Sequence, residues 1–363
     1  MKKLFFAVTN DLNSDQRMWR ICSSLQAANY EVSLYGRALP QSRPLPKRAY
    51  QQTRQTHWFT QGALFYLEFN LRLFFKALQQ DADAFCAVDL DSLIALRFAA
   101  ILRNKPLVYD AHEIFTEVPE LLANPLKKKV WQWVEKLLIP GIKHAYTVNQ
   151  SLAQWYARQY GIQMKVVRNM PFAVQHESQP CEGFILYQGA LNAGRGIEPL
   201  LLAMKLLPNE RLVIAGRGDL DEQLRKMSVQ NGLGDRVQFT GQLEPEALRQ
   251  LSARAWLGVN LLESKSLNYY YSLANKFFDY AQAEIPQLCM DFPEYRILNE
   301  TYEVALLCKD LEPELLARQI RDLRESPETY ARLKENSKQA AQAWLWKYEE
   351  PVLLEVYQEV FGI

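Results

Sequence analysis

The sequence has no run of about 18 apolar residues, so it holds no candidate membrane-spanning helix. Its five cysteines, Cys22, Cys86, Cys181, Cys289 and Cys308, are odd in number and widely spaced. That excludes a neat disulfide framework or a zinc knuckle and points to a reducing, cytoplasmic setting. The four histidines, His57, His112, His144 and His176, show no metal-ligand spacing. The glycines never form the Gly-x-Gly-x-x-Gly fingerprint after the first apolar run, which argues against a dinucleotide there. There is no internal repeat and no low-complexity segment. The chain also lacks the strong basicity and the motifs of a nucleic-acid binder. At the start, Met1-Lys2-Lys3 precedes five apolar residues, Leu4–Val8, but Thr9-Asn10-Asp11 ends the run and no small-residue cleavage site follows. The segment reads as a strand rather than a signal peptide.

What is present is an ordinary globular mixture, 48% apolar and 23% charged over 363 residues, long enough for two domains. The near-neutral total conceals an asymmetry. Residues 1–170 hold 22 Lys and Arg against 13 Asp and Glu, a net +9, whereas the remainder holds 20 against 28, a net −8. A basic half can face a nucleotide, a lipid headgroup or an acidic glycan, although a chance division of surface charge reads the same way.

Short, mostly uninterrupted apolar runs alternate with amphipathic stretches along the whole chain. Strands are expected at Lys3–Val8, Glu31–Tyr35, Ala84–Val88, Pro106–Tyr109, Ala145–Val148 and Val166–Arg168, then at Phe184–Tyr187, Arg211–Ala215, Val237–Phe239, Leu257–Leu261, Gln287–Met290 and Val304–Leu307. Helices fall between them, among them Asp15–Ala28, Gln61–Leu78, Asp91–Arg103 and Leu126–Leu138. In the second half they include Ile197–Leu206, Pro245–Ala253, Leu273–Ala283 and Pro313–Arg324. Runs apolar on both faces suit parallel strands covered by helices, so the fold class is α/β, two doubly wound Rossmann-like domains facing a central cleft. The expected domains are residues 1–172 and 173–345. A last helix, about 346–363, is broken near Pro351 and packs back on the body.

Several strand ends carry chemistry-bearing residues, where doubly wound sheets place ligands. After the first strand, Asn10, Asp11, Asp15 and Arg17 can hold an acceptor hydroxyl or a phosphate; equally, this is a capped turn with Ser14 or Asp15 as N-cap. Tyr109-Asp110-Ala111-His112-Glu113 puts a histidine between acids at a strand end, against the alternative of a satisfied core histidine. Gly189, Gly194 and Gly196 flank Arg195 in a loop suited to phosphate, or in a plain flexible turn. Gly216-Arg217 and Gly241 through Leu243 are weaker turns whose backbone can read a nucleobase edge. In Ser272-Leu273-Ala274-Asn275-Lys276, Ser272 reads as the N-cap of a helix whose tip can hold a diphosphate. Asp279, nearly two turns on, reads as a ribose ligand or as a solvated carboxylate.

These segments, with Phe65–Phe74 and Asp291-Phe292-Pro293-Glu294, resemble in order and spacing the GT-B glycosyltransferases, specifically the retaining, family-4-like group (glycosyl transferases group 1). The resemblance spans essentially the whole chain. It implies a C-terminal domain for a nucleotide diphosphate sugar and an N-terminal domain for the acceptor. It also implies Arg195 on the diphosphate, Asp279 as the second acid of an E-x7-E motif on the ribose, and His112 beside the donor sugar. No metal and no separate cofactor are implied, because cationic side chains and a helix tip offset the leaving group's charge. The chain departs from the family's pattern at Tyr271 (first acid), Asp279 (Asp for Glu), Glu284 (usually Gly), Ala190 (often a second phosphate-binding Arg) and Val88 (often His). Loss of one charge-assisted contact costs about 1.5–3 kcal/mol. A sugar-nucleotide epimerase of the same fold and a degenerate glycan-binding partner subunit are the alternatives. Finally, Leu126–Leu138 is basic, aromatic and amphipathic. Such a helix can lie peripherally on the inner face of a membrane, near a lipid-linked acceptor, or can be a domain helix with its apolar side in the core.

Overall fold

In the first strand, β1 (Lys3–Ala7), neighbouring side chains leave the sheet in opposite directions: Phe5 and Ala7 enter one hydrophobic layer, Leu4 and Phe6 another. Both layers are buried, which is why the run reads as continuously apolar. The computed structural model describes residues 1–13, 15–40, 42–173 and 180–363. The chain folds as two units, Met1–Asn169 with Trp346–Ile363, and Met170–Leu345.

In unit 1, β1 is followed by α1 (Gln16–Ala27), β2 (Glu31–Arg37), β3 (Gln51–Gln55), α2 (Gly62–Gln79), β4 (Ala84–Val88), α3 (Asp89–Arg103) and β5 (Leu107–Ala111). Then come α4 (Pro119–Leu122), α5 (Pro125–Leu138), β6 (His144–Thr147), α6 (Gln150–Tyr160) and β7 (Lys165–Val166). The described strands form one parallel sheet in the order β3-β2-β1-β4-β5-β6-β7. Helices α2, α3, α5 and α6 cover one face, through side chains such as Phe69, Leu93, Leu138 and Tyr156. Helix α1 covers the other with Met18, Ile21 and Leu25. Strand β3 is unexpected from the sequence. It is a sheet edge of Gln, Thr and Arg, held by pairing with β2 and without an apolar run to reveal it.

Unit 2 repeats the plan with β8 (Ile185–Gln188), α7 (Ile197–Lys205), β9 (Leu212–Ala215), α8 (Asp221–Gln230), β10 (Val237–Gly241), α9 (Pro245–Arg254) and β11 (Leu257–Asn260). Next are α10 (Leu267–Tyr270), α11 (Asn275–Gln282), β12 (Gln287–Met290), α12 (Pro293–Thr301), β13 (Ala305–Cys308), α13 (Pro313–Arg324) and α14 (Pro327–Ala343). Its parallel sheet runs β10-β9-β8-β11-β12-β13.

The last helix, α15 (Trp346–Phe361), belongs to unit 1. The expected break at Pro351 is absent, and the helix runs through it. Contacts on both sides of the proline anchor the helix. Trp346 Nε1 donates to Ser24 Oγ at 2.8 Å, Glu349 accepts the Arg168 backbone N–H at 2.7 Å, and Leu353, Val356 and Tyr357 are buried beside Phe6 and Val32. Burial of that face outweighs one missing backbone donor. Among the described residues no helix is long and apolar enough to cross a membrane.

Candidate active site

In unit 1 the strand order reverses between β1 and β4, and the candidate residues gather past the carboxyl ends of β1, β4 and β5. Asp110, in β5, is 2% exposed and faces α1. Arg17 closes on it from the first turn of that helix. Its Nε donates to Oδ2 at 3.2 Å, its Nη2 to Oδ1 at 2.8 Å and its Nη1 to the Val167 carbonyl at 2.9 Å. His112 Nε2 lies 2.9 Å from Asp110 Oδ2, and Nδ1 lies 3.4 Å from Asp89 Oδ2. The His112 backbone N–H donates to Asp89 Oδ1 at 2.7 Å. Burial alone would push His112 down, but the Asp110 and Asp89 carboxylates outweigh it and raise its pKa to about 9. Burial works against the Asp110 charge too, yet Arg17 and His112 hold its pKa down to about 2. The two carboxylates favour the imidazolium form of His112 and engage both of its ring nitrogens.

Asp89 was not among the residues the sequence put forward. It adopts a left-handed conformation, φ 55°, at the head of α3, a strained posture for a residue with a side chain. Its place one residue beyond an apolar strand was the available signal.

The other expected acceptor residues are dispersed among structural bonds. Arg17, at 4% exposure, is a buried brace for Asp110. Asp15 is the N-cap of α1, its Oδ1 accepting Met18 N–H at 2.9 Å; the other candidate cap, Ser14, lies outside the described residues. Asn10 is exposed, and its Nδ2 donates to Asp15 Oδ2 at 3.2 Å. Asp11 accepts from Arg54 Nη1 at 2.7 Å and from the Ser42 hydroxyl. Glu113 is half-buried, and its carbonyl accepts the Tyr156 hydroxyl at 3.0 Å.

In unit 2 the strand order reverses between β8 and β11. The loop after β8, Gly189–Gly196, is tied to the loop after β9. Gly189 N–H donates to the Ala215 carbonyl at 2.9 Å, and Leu191 N–H to the Arg217 carbonyl at 3.0 Å. A Cβ on Gly216 would sit 1.8 Å from the Gly189 carbonyl oxygen, so only glycine allows this contact between backbones. Gly216 N–H in turn donates to the Gly241 carbonyl at 2.9 Å. The Gly189 and Gly216 donors thus fasten the two loops together rather than facing a phosphate. Gly194 and Gly196 lie against Tyr269 and Leu261, where a Cβ would come within 2.8 and 2.6 Å. Arg217 is exposed, its Nε 3.6 Å from where a Gly241 Cβ would stand, and Leu243 packs partly buried beside Phe184 and Leu186.

Helix α11 begins at Asn275, two residues later than the sequence suggested, and Ser272 is not its cap. Ser272 Oγ instead donates to the Tyr269 carbonyl at 2.8 Å, closing α10, whose own cap is Ser266. Leu273 is a core residue, and Ala274 N–H donates to Tyr295 Oη at 3.0 Å. Asn275 is exposed. Asp279, half-buried in α11, accepts from Gln188 Nε2 at 2.9 Å, and Gln188 Oε1 accepts from Ser252 Oγ at 2.9 Å.

Two cations remain. Lys276, 7% exposed, has its ammonium 3.9 Å from the Tyr187 ring centroid and 3.5 Å from where a Gly189 Cβ would be. It makes no hydrogen bond, nor does the buried Nε of Arg195, whose guanidinium stands 5.0 Å over the Tyr269 ring. Burial and then the charge of Arg195 push the Lys276 pKa down to about 7. Like charges held close together are unfavourable, and an anion placed between them relieves the repulsion. Among the described residues no group of His, Cys, Asp and Glu is arranged to hold a metal ion.

The family models decide the membership. The model "Glycosyl transferases group 1" matches residues 172–340, and "Glycosyltransferase Family 4" matches residues 15–171. The chain is a member of these GT-B glycosyltransferases. The transferase matches no curated protein in sequence. Solved structures share its fold. Sucrose-phosphate synthase from Thermosynechococcus elongatus superimposes with a TM-score of 0.82 at 16% identity, covering 100% of both chains. HepE from Anabaena in complex with UDP-glucose gives 0.77 at 16%, covering 99% of this chain and 100% of the other. WaaG, a glycosyltransferase involved in lipopolysaccharide biosynthesis, gives 0.71 at 15%, covering 97% and 99%.

Proposed function

We propose that the transferase moves a sugar from a nucleoside diphosphate sugar to a glycan or lipid-linked acceptor, with retention of configuration and without a metal ion. The observation that carries this reading is the buried Lys276 ammonium and the half-buried Arg195 beside it, whose Nζ and Nε respectively have no hydrogen-bond partner, next to the Gly189–Gly196 loop. A diphosphate supplies a matching anion, and the pair stabilises it as it departs. The solved relative HepE is in complex with UDP-glucose, in keeping with such a donor. Asp279, oriented by Gln188, accepts the ribose hydroxyls in this reading. In this reading the departing phosphate oxygen receives the acceptor's proton on the face from which it leaves, which gives retention. Five cysteines, all free thiols, agree with a cytoplasmic setting.

The test is titration with UDP- and GDP-sugars, followed by turnover with the one that binds. Arg195→Ala and Lys276→Met are each expected to lower kcat/KM by about 10- to 150-fold, the equivalent of one charge-assisted contact. The melting temperature of Arg195→Ala should hold, and that of Lys276→Met should rise, because it removes a buried amine without a hydrogen-bond partner. Unchanged kcat/KM in both variants would overturn the reading.

A further inference from the structure

Helix α2 is built inside out. Phe65, Phe69 and Leu73 enter the core of unit 1, yet every exposed side chain from Ala63 to Phe75 is also apolar: Ala63, Leu64, Leu67, Leu71 and Phe75. Helix α5 shows the same excess. Trp131 packs edge-on to Tyr66, Leu138 is buried, and Glu135 is turned inward to accept from Thr116 and Tyr160 at 3.0 and 2.8 Å. Its outer stripe is Leu126, Val130, Trp133 and Leu137, with Trp133 65% exposed. Helix α3 adds Phe98, Ile101 and Leu102. The three helices cover one face of one sheet, so their outer sides look the same way and form one apolar surface well beyond scattered exposed hydrophobes.

Charge chooses the occupant. The outer side of α5 carries exposed Lys127, Lys129 and Lys136 and no acid, its one carboxylate, Glu135, being buried. Pairing with a second copy across a two-fold axis would set these lysines against one another. An acidic lipid surface receives them, while the apolar stripes and Trp133 enter the headgroup boundary. We propose that the outer side of α2, α3 and α5 is a docking face for an anionic bilayer, on which the transferase lies without spanning it. The inference is independent of the sugar-transfer reading, since none of these residues lies in the loops described above.

Full-length protein is sedimented with vesicles of phosphatidylcholine alone or with added phosphatidylglycerol. It should pellet with the anionic vesicles only and be released by salt. The triple change K127Q/K129Q/K136Q should weaken partitioning about a hundredfold, roughly fivefold per lysine. Leu71→Glu and Trp133→Glu, on different helices, should each abolish pelleting with unchanged melting temperatures, because both side chains already face solvent. Absence of pelleting, equal pelleting with both vesicle types, or indifference to Leu71→Glu would overturn the proposal. So would a concentration-dependent dimer that Leu71→Glu dissolves while vesicles are ignored.

Discussion

At Lys276, burial and the neighbouring Arg195 both favour the neutral amine, and the pKa falls to about 7 from the usual 10.5. The unfolded chain thus binds this proton more tightly than the folded one. On this account stability rises with pH between about 7 and 10.5. In the proposed reading a diphosphate stabilises the ammonium, and binding reverses the preference. On that reading the free protein takes up a proton above pH 7 as it binds a nucleotide sugar, so affinity should fall by up to tenfold per pH unit there and level off below. Calorimetric titration with the bound UDP- or GDP-sugar in buffers of different ionisation enthalpy measures both the slope and the proton. Lys276→Met should flatten the profile; a wild-type profile already flat from pH 7 to 9 would refute the account. The diphosphate of a nucleotide sugar has no ionisation of its own in that range.

Among the elements, the end of α11 carries a residue at odds with its geometry. Glu284 N–H donates to the Ala281 carbonyl at 2.9 Å and Ile285 N–H to the Tyr280 carbonyl at 3.2 Å, the paired bonds of a Schellman ending. That ending places Glu284 at φ 56°, where a side chain costs about 1–2 kcal/mol. Glu284→Gly should stabilise unit 2 by about 1 kcal/mol, raising its melting temperature by about 2–4 °C in a thermal scan. A lower melting temperature would show that the carboxylate makes a compensating contact. The glycine usual in the family at this point is thus explained by backbone conformation.

The same helix shows why its other end was misread in the sequence. Serine is a good cap in more than one place, and the short turn Leu267–Tyr270 uses Ser266, closes on Ser272 and delays α11 to Asn275. The sheets were legible because strands covered on both faces must be apolar throughout. Among the described strands the polar edge Gln51–Gln55 escaped, since it has no apolar run to mark it. Of the candidate site, His112 and Arg195 were legible as strand-end residues. What no local pattern carries is a meeting of distant segments: Lys276 beside Gly189, Arg17 sealed onto Asp110, Asp89 bent back to His112.

For the whole molecule, the decisive element is α15, distant in sequence from the sheet it completes. Trp346, Leu353, Val356 and Tyr357 are buried against Phe6, Val32 and Tyr30, and Trp346 Nε1 meets Ser24. Each such side chain contributes about 1.5–3 kcal/mol, so together they rival the total stability of a domain. Ending the chain at Leu345 should abolish the calorimetric transition of unit 1 and leave that of unit 2. Trp346→Ala alone should cost about 3–5 kcal/mol. A truncated chain that melts like the whole would show α15 to be dispensable.

Unit 2 is therefore an insertion, lying in sequence between β7 and α15 of its companion. Translation makes the basic half first and supplies α15 only after unit 2. On the ribosome, the segment from Met170 to Leu345 has all of its own strands and helices before α15 can join α1 on the sheet of the older half.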